Sequence, residues 1–176
     1  MLGLNRELVK LYPYNPDWAE EYKKEEKILK EYLKDFDFLI EHVGSTSIPG
    51  LSAKPIIDIA IGVYDEEILL AIGEVLGNAG YDILNSIEEK GEILAQKGTP
   101  DCRTHHIHIQ KIHSRYWDNF VYFKRYLLDH PEKVKEYEKL KTQLAEIYAN
   151  DRKKYTASKN DFISAVLEES HKLYNL

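Results

Sequence analysis

Residues Glu41 to Asp58 read EHVGSTSIPGLSAKPIID: the end of one predicted strand, a Gly-Ser turn, and a second strand that delivers one acidic side chain. Gly44 lets the backbone turn where a side chain would clash, so exposed N–H groups and the hydroxyls of Ser45, Thr46 and Ser47 can meet a phosphate. Pro49 and Gly50 punctuate the return. From Pro55 the run PIIDIAIGV is rich in β-branched residues. A period of two sends Ile57, Ile59, Ile61 and Val63 to one face and Ile56, Asp58, Ala60 and Gly62 to the other. A carboxylate inside an apolar strand must be paired, hydrogen-bonded or coordinating a cation, because an isolated buried carboxylate is very costly. Asp58 is therefore the first candidate ligand.

Upstream, Asn15-Pro16-Asp17 is a helix start, with Asn15 as cap, Pro16 at the first helical position and Asp17 complementing the dipole. Trp18, Tyr22, Leu29, Leu33 and Phe36 follow as its buried stripe, and FLIEHV (38–43) is the first strand. Downstream, Asp65 caps a helix through Ile68, Leu69, Ile72, Val75 and Leu76 that Gly77 and Gly80 stop. Strands are expected at 81–85, 92–97 and 103–112, the first two as a hairpin. From Ser114 the chain turns helical. Trp117, Phe120, Val121, Tyr126 and Leu127 support one helix, His130-Pro131 interrupts it, and Pro131 opens the next, striped by Val134, Tyr137, Leu140, Leu144, Ile147 and Tyr148. Ser158 caps a last helix holding Phe162, Ile163, Val166 and Leu167. Strands in residues 38–112 and helices in 114–176 favour an α+β fold, a mixed β-sheet backed by helices, over an alternating parallel one.

The chain has 176 residues, which suits one domain spanning 1–176, and its 43% hydrophobic and 31% charged residues are ordinary for a globular protein. A net charge of −6 argues against general nucleic-acid binding. The 13 tyrosines read best as half-buried core-edge residues. With Cys102 as the one cysteine there is no internal disulfide framework. The opening MLGLNRELVKLYPY lacks an apolar leader and no run is long enough to span a bilayer, so the expectation is a cytoplasmic protein without a membrane partner.

The strand RTHHIHIQKI places Ile107 and Ile109 on one face and His106, His108 and Gln110 on the other. Side chains at i and i+2 lie roughly 7 Å apart at Cα, so both imidazoles can converge on one ion or one phosphate. The alternative is a polar outer face on an edge strand. His105 falls with the isoleucines or at the rim and is read as structural.

HVGSTSIPGL, AKPIIDI and HHIHI together resemble the GrpB family of the nucleotidyltransferase superfamily. FKRYLLDHP, Tyr137 with Leu140-Lys141, and DRKKYTASKNDFI are similar to that family's C-terminal helices, so the likeness covers nearly the whole chain. It implies a DNA polymerase beta-like nucleotidyltransferase fold, in which a Gly-Ser turn holds the triphosphate and strand acids hold divalent metal. A similar domain joined to dephospho-coenzyme A kinases adds a nucleotide or coenzyme A connection.

The superfamily pattern expects Gly-Ser followed by Asp-x-Asp. Gly44, Ser45 and Asp58 are present, and Ala60 stands where the second acid belongs. One aspartate holds two cations about 3.5–4 Å apart poorly. His106 and His108 suit zinc or manganese better than magnesium, so the expected cofactor is a divalent metal (Mg, Mn or Zn) on Asp58, His106 and His108. Glu41 or His42, whichever the register turns toward Asp58, completes the set, Glu41 being the named ligand. In the family-like motif Lys54 is expected either to contact phosphate as a point charge or to stand solvated. Arg103 and the group Arg152, Lys153, Lys154 and Lys159 can neutralise a triphosphate or stand solvated; Lys159 and Tyr155 fall within the family-like part.

The partner expected is a nucleotide or other phosphorylated small molecule, and the oligomeric state is open, a homodimer included. Four functions fit: a metal-dependent nucleotidyltransferase acting through Asp58, His106 and His108; a non-catalytic nucleotide or coenzyme A-precursor binder, favoured by Ala60; a histidine-triad-like transferase on His106-Ile107-His108-Ile109-Gln110; and a metal-dependent phosphohydrolase.

Overall fold

The computed structural model describes residues 2–5 and 7–174. Five strands, β1 (Phe38–Val43), β2 (Ile57–Val63), β3 (Asp82–Ser86), β4 (Glu92–Thr99) and β5 (Cys102–Lys111), form one sheet in the order β1-β2-β5-β4-β3. β2 and β5 run parallel, and the other neighbours are antiparallel. The sheet is thus mixed and helix-backed, as the clustering of strands ahead of helices leads one to expect. The histidine strand β5 lies inside the sheet, between β2 and β4, which removes the edge-strand reading.

Alternation along the strands separates two faces. Ile57, Ile59, Ile61, Val63, Ile93, Ala95, Ile107 and Ile109 pack with Trp18, Leu29 and Leu33 and with Leu69, Ile72 and Leu76 in one cluster. These partners come from α1 (Asp17–Tyr32) with Leu33 just after it, and from α2 (Leu69–Asn78). Burying each such aliphatic side chain contributes about 1.5–3 kcal/mol. Asn15 Oδ1 accepts from the Asp17 amide at 3.0 Å, starting α1 as its sequence suggests. Asp65 caps a short turn, Glu66–Ile68, that feeds α2. Gly77 remains within α2 rather than ending it, and Gly80, at φ 93°, makes the turn that follows.

α3 (Ile87–Lys90) is a single turn between β3 and β4; on the second face α4 (Arg115–Asp129) packs on the strands, α5 (Pro131–Ile147) and α7 (Asn160–Tyr174) pack on α4, and α6 (Arg152–Ala157) leads into α7. Gly62 lets α4 approach: a Cβ there would lie 2.7 Å from both Ile112 Cγ1 and Trp117 Cζ3. His130 is extended, as a residue before proline must be, and α5 begins at Pro131. One expectation fails here. Ser158 does not cap the last helix, because its own backbone is helical and Ile163 N already donates to the Lys159 carbonyl. The working cap is Asp151, whose side chain accepts from Lys154 N at 3.0 Å and starts the unexpected α6. Two further pairings were not foreseen: Leu4 bridges to Arg103, and Tyr12 to Ala53. Among the described residues no helix is long and apolar enough to cross a membrane.

Candidate functional site

The parallel register sets Asp58 beside His106 and Ala60 beside His108, all on the face away from the isoleucine cluster. Asp58 Oδ1 lies 3.2 Å from His106 Nδ1 and 4.0 Å from His108 Nε2. Burial pushes the Asp58 carboxyl up, but the His106 hydrogen bond and the charges of His106, His108 and Lys54 outweigh it and hold it below the ordinary carboxylate range. His108 is held from behind, with Nδ1 2.5 Å from Glu92 Oε1. Gln110 Nε2 donates to the same oxygen at 3.1 Å. A carboxylate only accepts, so Nδ1 carries the proton and Nε2 is turned toward Asp58.

The Gly-Ser turn lies directly against this carboxylate. Gly44 has φ 69° and ψ −173°, and a Cβ there would come within 2.5 Å of Asp58 Oδ2. That backbone region is essentially restricted to glycine. Ser45–Ser47 form one tight helical turn. Ser47 Oγ donates to the Gly44 carbonyl at 2.7 Å, and Thr46 Oγ1 pairs with His42 Nε2 at 3.0 Å. Those two hydroxyls therefore serve the turn itself, and Ser45, which lines the cavity in front of Asp58, is hydrogen-bonded to the Tyr137 side chain.

That cavity holds about 230 Å³. Around Asp58, His106, His108 and Ser45 its walls carry four cationic side chains, Lys54, Lys141, Arg152 and Lys159, together with Tyr155. Lys54 Nζ and Lys159 Nζ sit 5.8 and 4.5 Å from the centre of the Tyr155 ring. Lys141 Nζ donates to the Ser52 carbonyl, and Glu138 accepts from the Ser52 amide at 2.8 Å, so α5 grips the segment leading to Lys54. Burial, reinforced by Arg152 and Lys159, pushes Lys54 down to about 7. Burial brings Lys141 to about 7 as well, with Lys159 and Lys54 adding to the shift. Lys159 falls to about 8 through burial and Arg152, against the opposing pull of Asp58. Burial and mutual repulsion thus lower the proton affinity of all three lysines. A wider cavity of about 720 Å³ adjoins the first and shares His106, Arg152 and Thr156 with it.

Several expected residues stand elsewhere. Glu41 is opposite Ala60 on the same face, yet its Oε2 is 3.2 Å from Lys124 Nζ and it does not line the cavity. Arg103 donates to the Gly98 carbonyl and pairs with Asp82 at 2.5 Å, and it lines only the wider cavity. His42 is buried and stacked on Tyr22 at 4.7 Å; burial and the charge of Lys124 push it to about 4. Lys153 lines the wider cavity, and Lys154 pairs with Asp151 at 3.3 Å. Glu92 was missed, and so was the role of Lys141. A lysine four residues after Tyr137 and three before Leu144, on the buried stripe of α5, was the signal for the second.

A divalent-metal cage finds little support in this donor set. Among the described residues no three His, Cys, Asp or Glu side chains group to hold an ion. Asp58 already accepts from His106, Ala60 offers no second carboxylate, and Glu41 is turned to Lys124. Magnesium needs near-octahedral oxygen coordination. The residues do not fit a two-metal site.

Fold and cleft together define an α+β protein with a lysine-lined cleft on one face of a mixed sheet. The family described as GrpB protein matches residues 8–169, and the chain belongs to it. It is 35% identical to the glutamate-rich protein GrpB of Alkalihalophilus pseudofirmus over 96% of this chain and 99% of that one. It is 34% identical to YqkA of Bacillus subtilis over 96% of this chain, which spans about half (51%) of that longer protein. The crystal structure of GrpB from Enterococcus faecalis superposes with a TM-score of 0.85 at 33% identity, covering 95% of this chain and all (100%) of that one. The family and the mixed, helix-backed sheet expected from the sequence are both borne out.

Proposed function

We propose that the protein binds the phosphate groups of a nucleotide or another phosphorylated small molecule in the cleft at Asp58, in the manner of a nucleotidyltransferase. The observation that carries this reading is the set Lys54, Lys141, Arg152 and Lys159 packed around one carboxylate in a 230 Å³ cavity. Ser45 and the bare backbone at Gly44 offer hydrogen bonds to phosphate oxygens, and the lysines supply charge as fixed point donors. In the transferase form of the reading, an acceptor hydroxyl attacks the α-phosphorus, its proton is released, and pyrophosphate departs with the electron pair of the broken P–O bond. Lysines then stabilise charge that two metal ions stabilise in the two-carboxylate arrangement. The second reading is a non-catalytic binder, and Ala60 in place of the second carboxylate favours it.

Calorimetric titration with the four nucleoside triphosphates, dephospho-coenzyme A and pyrophosphate tests the binding, with Mg²⁺, Mn²⁺, Zn²⁺ or no metal in parallel arms. Binding that disappears in Lys54→Met and Lys159→Met supports the reading, and absence of binding by every ligand in every arm ends it. Recovering the ligand after long incubation with a panel of acceptors separates the two forms: an intact ligand means a binder, and released pyrophosphate means a transferase.

A further inference from the structure

We propose that the wider cavity seats the non-phosphate part of the same ligand, and that this part is hydroxyl-rich, a sugar or polyol, rather than a stacked nucleobase. The inference rests on the phosphate reading of the inner cleft and extends it to the remainder of the molecule. His106, Arg152 and Thr156 line both cavities, so a ligand anchored at Lys54 and Lys159 continues past them into the larger space. Beside charged residues and the apolar Leu84 and Ala157, the outer wall carries four neutral hydrogen-bonding groups: Gln96 from β4, Asn150 before α6, Thr156 within α6 and Asn160 at the start of α7. None of these four side chains is hydrogen-bonded to another described residue. Amides and hydroxyls both donate and accept, which matches the hydroxyls of a diol.

Two further observations point the same way. His106 lines both cavities, and its Nε2 is buried without a hydrogen-bond partner among the described residues, although Nδ1 is engaged by Asp58. Buried ring nitrogens are ordinarily satisfied, so this ring has a hydrogen bond to gain where a small shift of the wall opens Nε2 to a ligand hydroxyl. Among the described residues that line the outer cavity, the imidazole of His106 is the one aromatic ring. Sites that hold bases without reading their edges use aromatic side chains for it.

Titration of the full chain with inorganic phosphate, ribose 5-phosphate and adenosine 5′-monophosphate tests this. Two or three added hydrogen bonds predict ribose 5-phosphate binding about tenfold or more tighter than phosphate. The base should add little, leaving the two ribose ligands within about threefold of each other, where stacking on a ring would give about tenfold or more. The double variant Gln96→Leu, Asn160→Leu should erase the advantage of ribose 5-phosphate while phosphate binds as before; Asn150→Ala, outside the sheet, should reduce it in part. A base that strengthens binding tenfold, or an advantage that survives the double variant, overturns the proposal while the phosphate site stands. Failure of phosphate and both ribose ligands to bind the wild type overturns the phosphate site and this proposal with it.

Discussion

On one face of β2 and β5 the side chains of Ile57, Ile59, Ile61, Ile107 and Ile109 are fully buried against the α1 and α2 layer. One residue along the same strands, Asp58, His106 and His108 stand on the other face among Lys54, Lys141, Lys159 and Arg152. Burial on the first face is favourable for every atom buried. On the second it works against each charge, and the lysines shed affinity for their protons as a result. A chain that keeps such a face gives up stability there, and the proposed binding of an oppositely charged ligand would recover it.

The largest effect that tests this contrast is on the apolar side. Ile59→Ala should cost about 2–5 kcal/mol in denaturant unfolding, because it leaves a cavity in the cluster under α1 and α2. Gly44→Ala comes next. Forcing a side chain into a glycine-only conformation costs about 1–3 kcal/mol, and its Cβ meets the Asp58 carboxylate, so pyrophosphate affinity in calorimetry should collapse together with stability. Lys54→Met should separate the two properties, lowering pyrophosphate affinity by about tenfold or more through loss of a charge-assisted contact. Its melting temperature should stay level or rise, since a buried charge facing other cations is gone. If Lys54→Met destabilised the protein as Ile59→Ala does, the contrast between the faces would be lost.

These positions also show what could be read in the sequence. The alternation IDIAIGV and the pair His106/His108 disclose the two faces because side-chain direction in a strand follows from parity alone. Gly44 was legible for a similar reason, as the one residue type its backbone tolerates. Glu92 was not legible, because its contact with His108 depends on the β4–β5 register. Glu41 and Arg103 carry the expected charges but found nearer counter-ions, Lys124 and Asp82, that only the folded chain brings close. Lys141 was hidden on an apolar helix stripe, and Ser158 continues the helical backbone of α6 where a cap of the last helix was expected.

pH gives a smaller, graded test. Lys54, Lys141 and Lys159 have folded values near 7, 7 and 8 against 10.5 for the free side chain. Between about pH 7 and 10 the unfolded chain therefore binds more protons than the native one, and these groups make stability rise with pH across that window. Pyrophosphate affinity should move in the opposite direction, falling as pH rises through 7 to 8. Binding at pH 8 should take up protons, seen as a dependence of the calorimetric enthalpy on buffer ionisation. The mildest substitution is Glu92→Gln, which weakens the hold on His108 at a cost of about 0.5–1.5 kcal/mol. It should shift the His108 imidazole resonances in NMR while leaving those of His105 in place.

A crystal of the protein grown with a non-hydrolysable nucleoside triphosphate and Mn²⁺ tests the central claim most directly. The account predicts phosphate oxygens within about 3.2 Å of Lys54 Nζ and Lys159 Nζ, in front of Asp58 and Ser45, with any manganese located by its anomalous signal. Triphosphate density on another surface, with the lysine-lined cavity filled only by solvent, would contradict it.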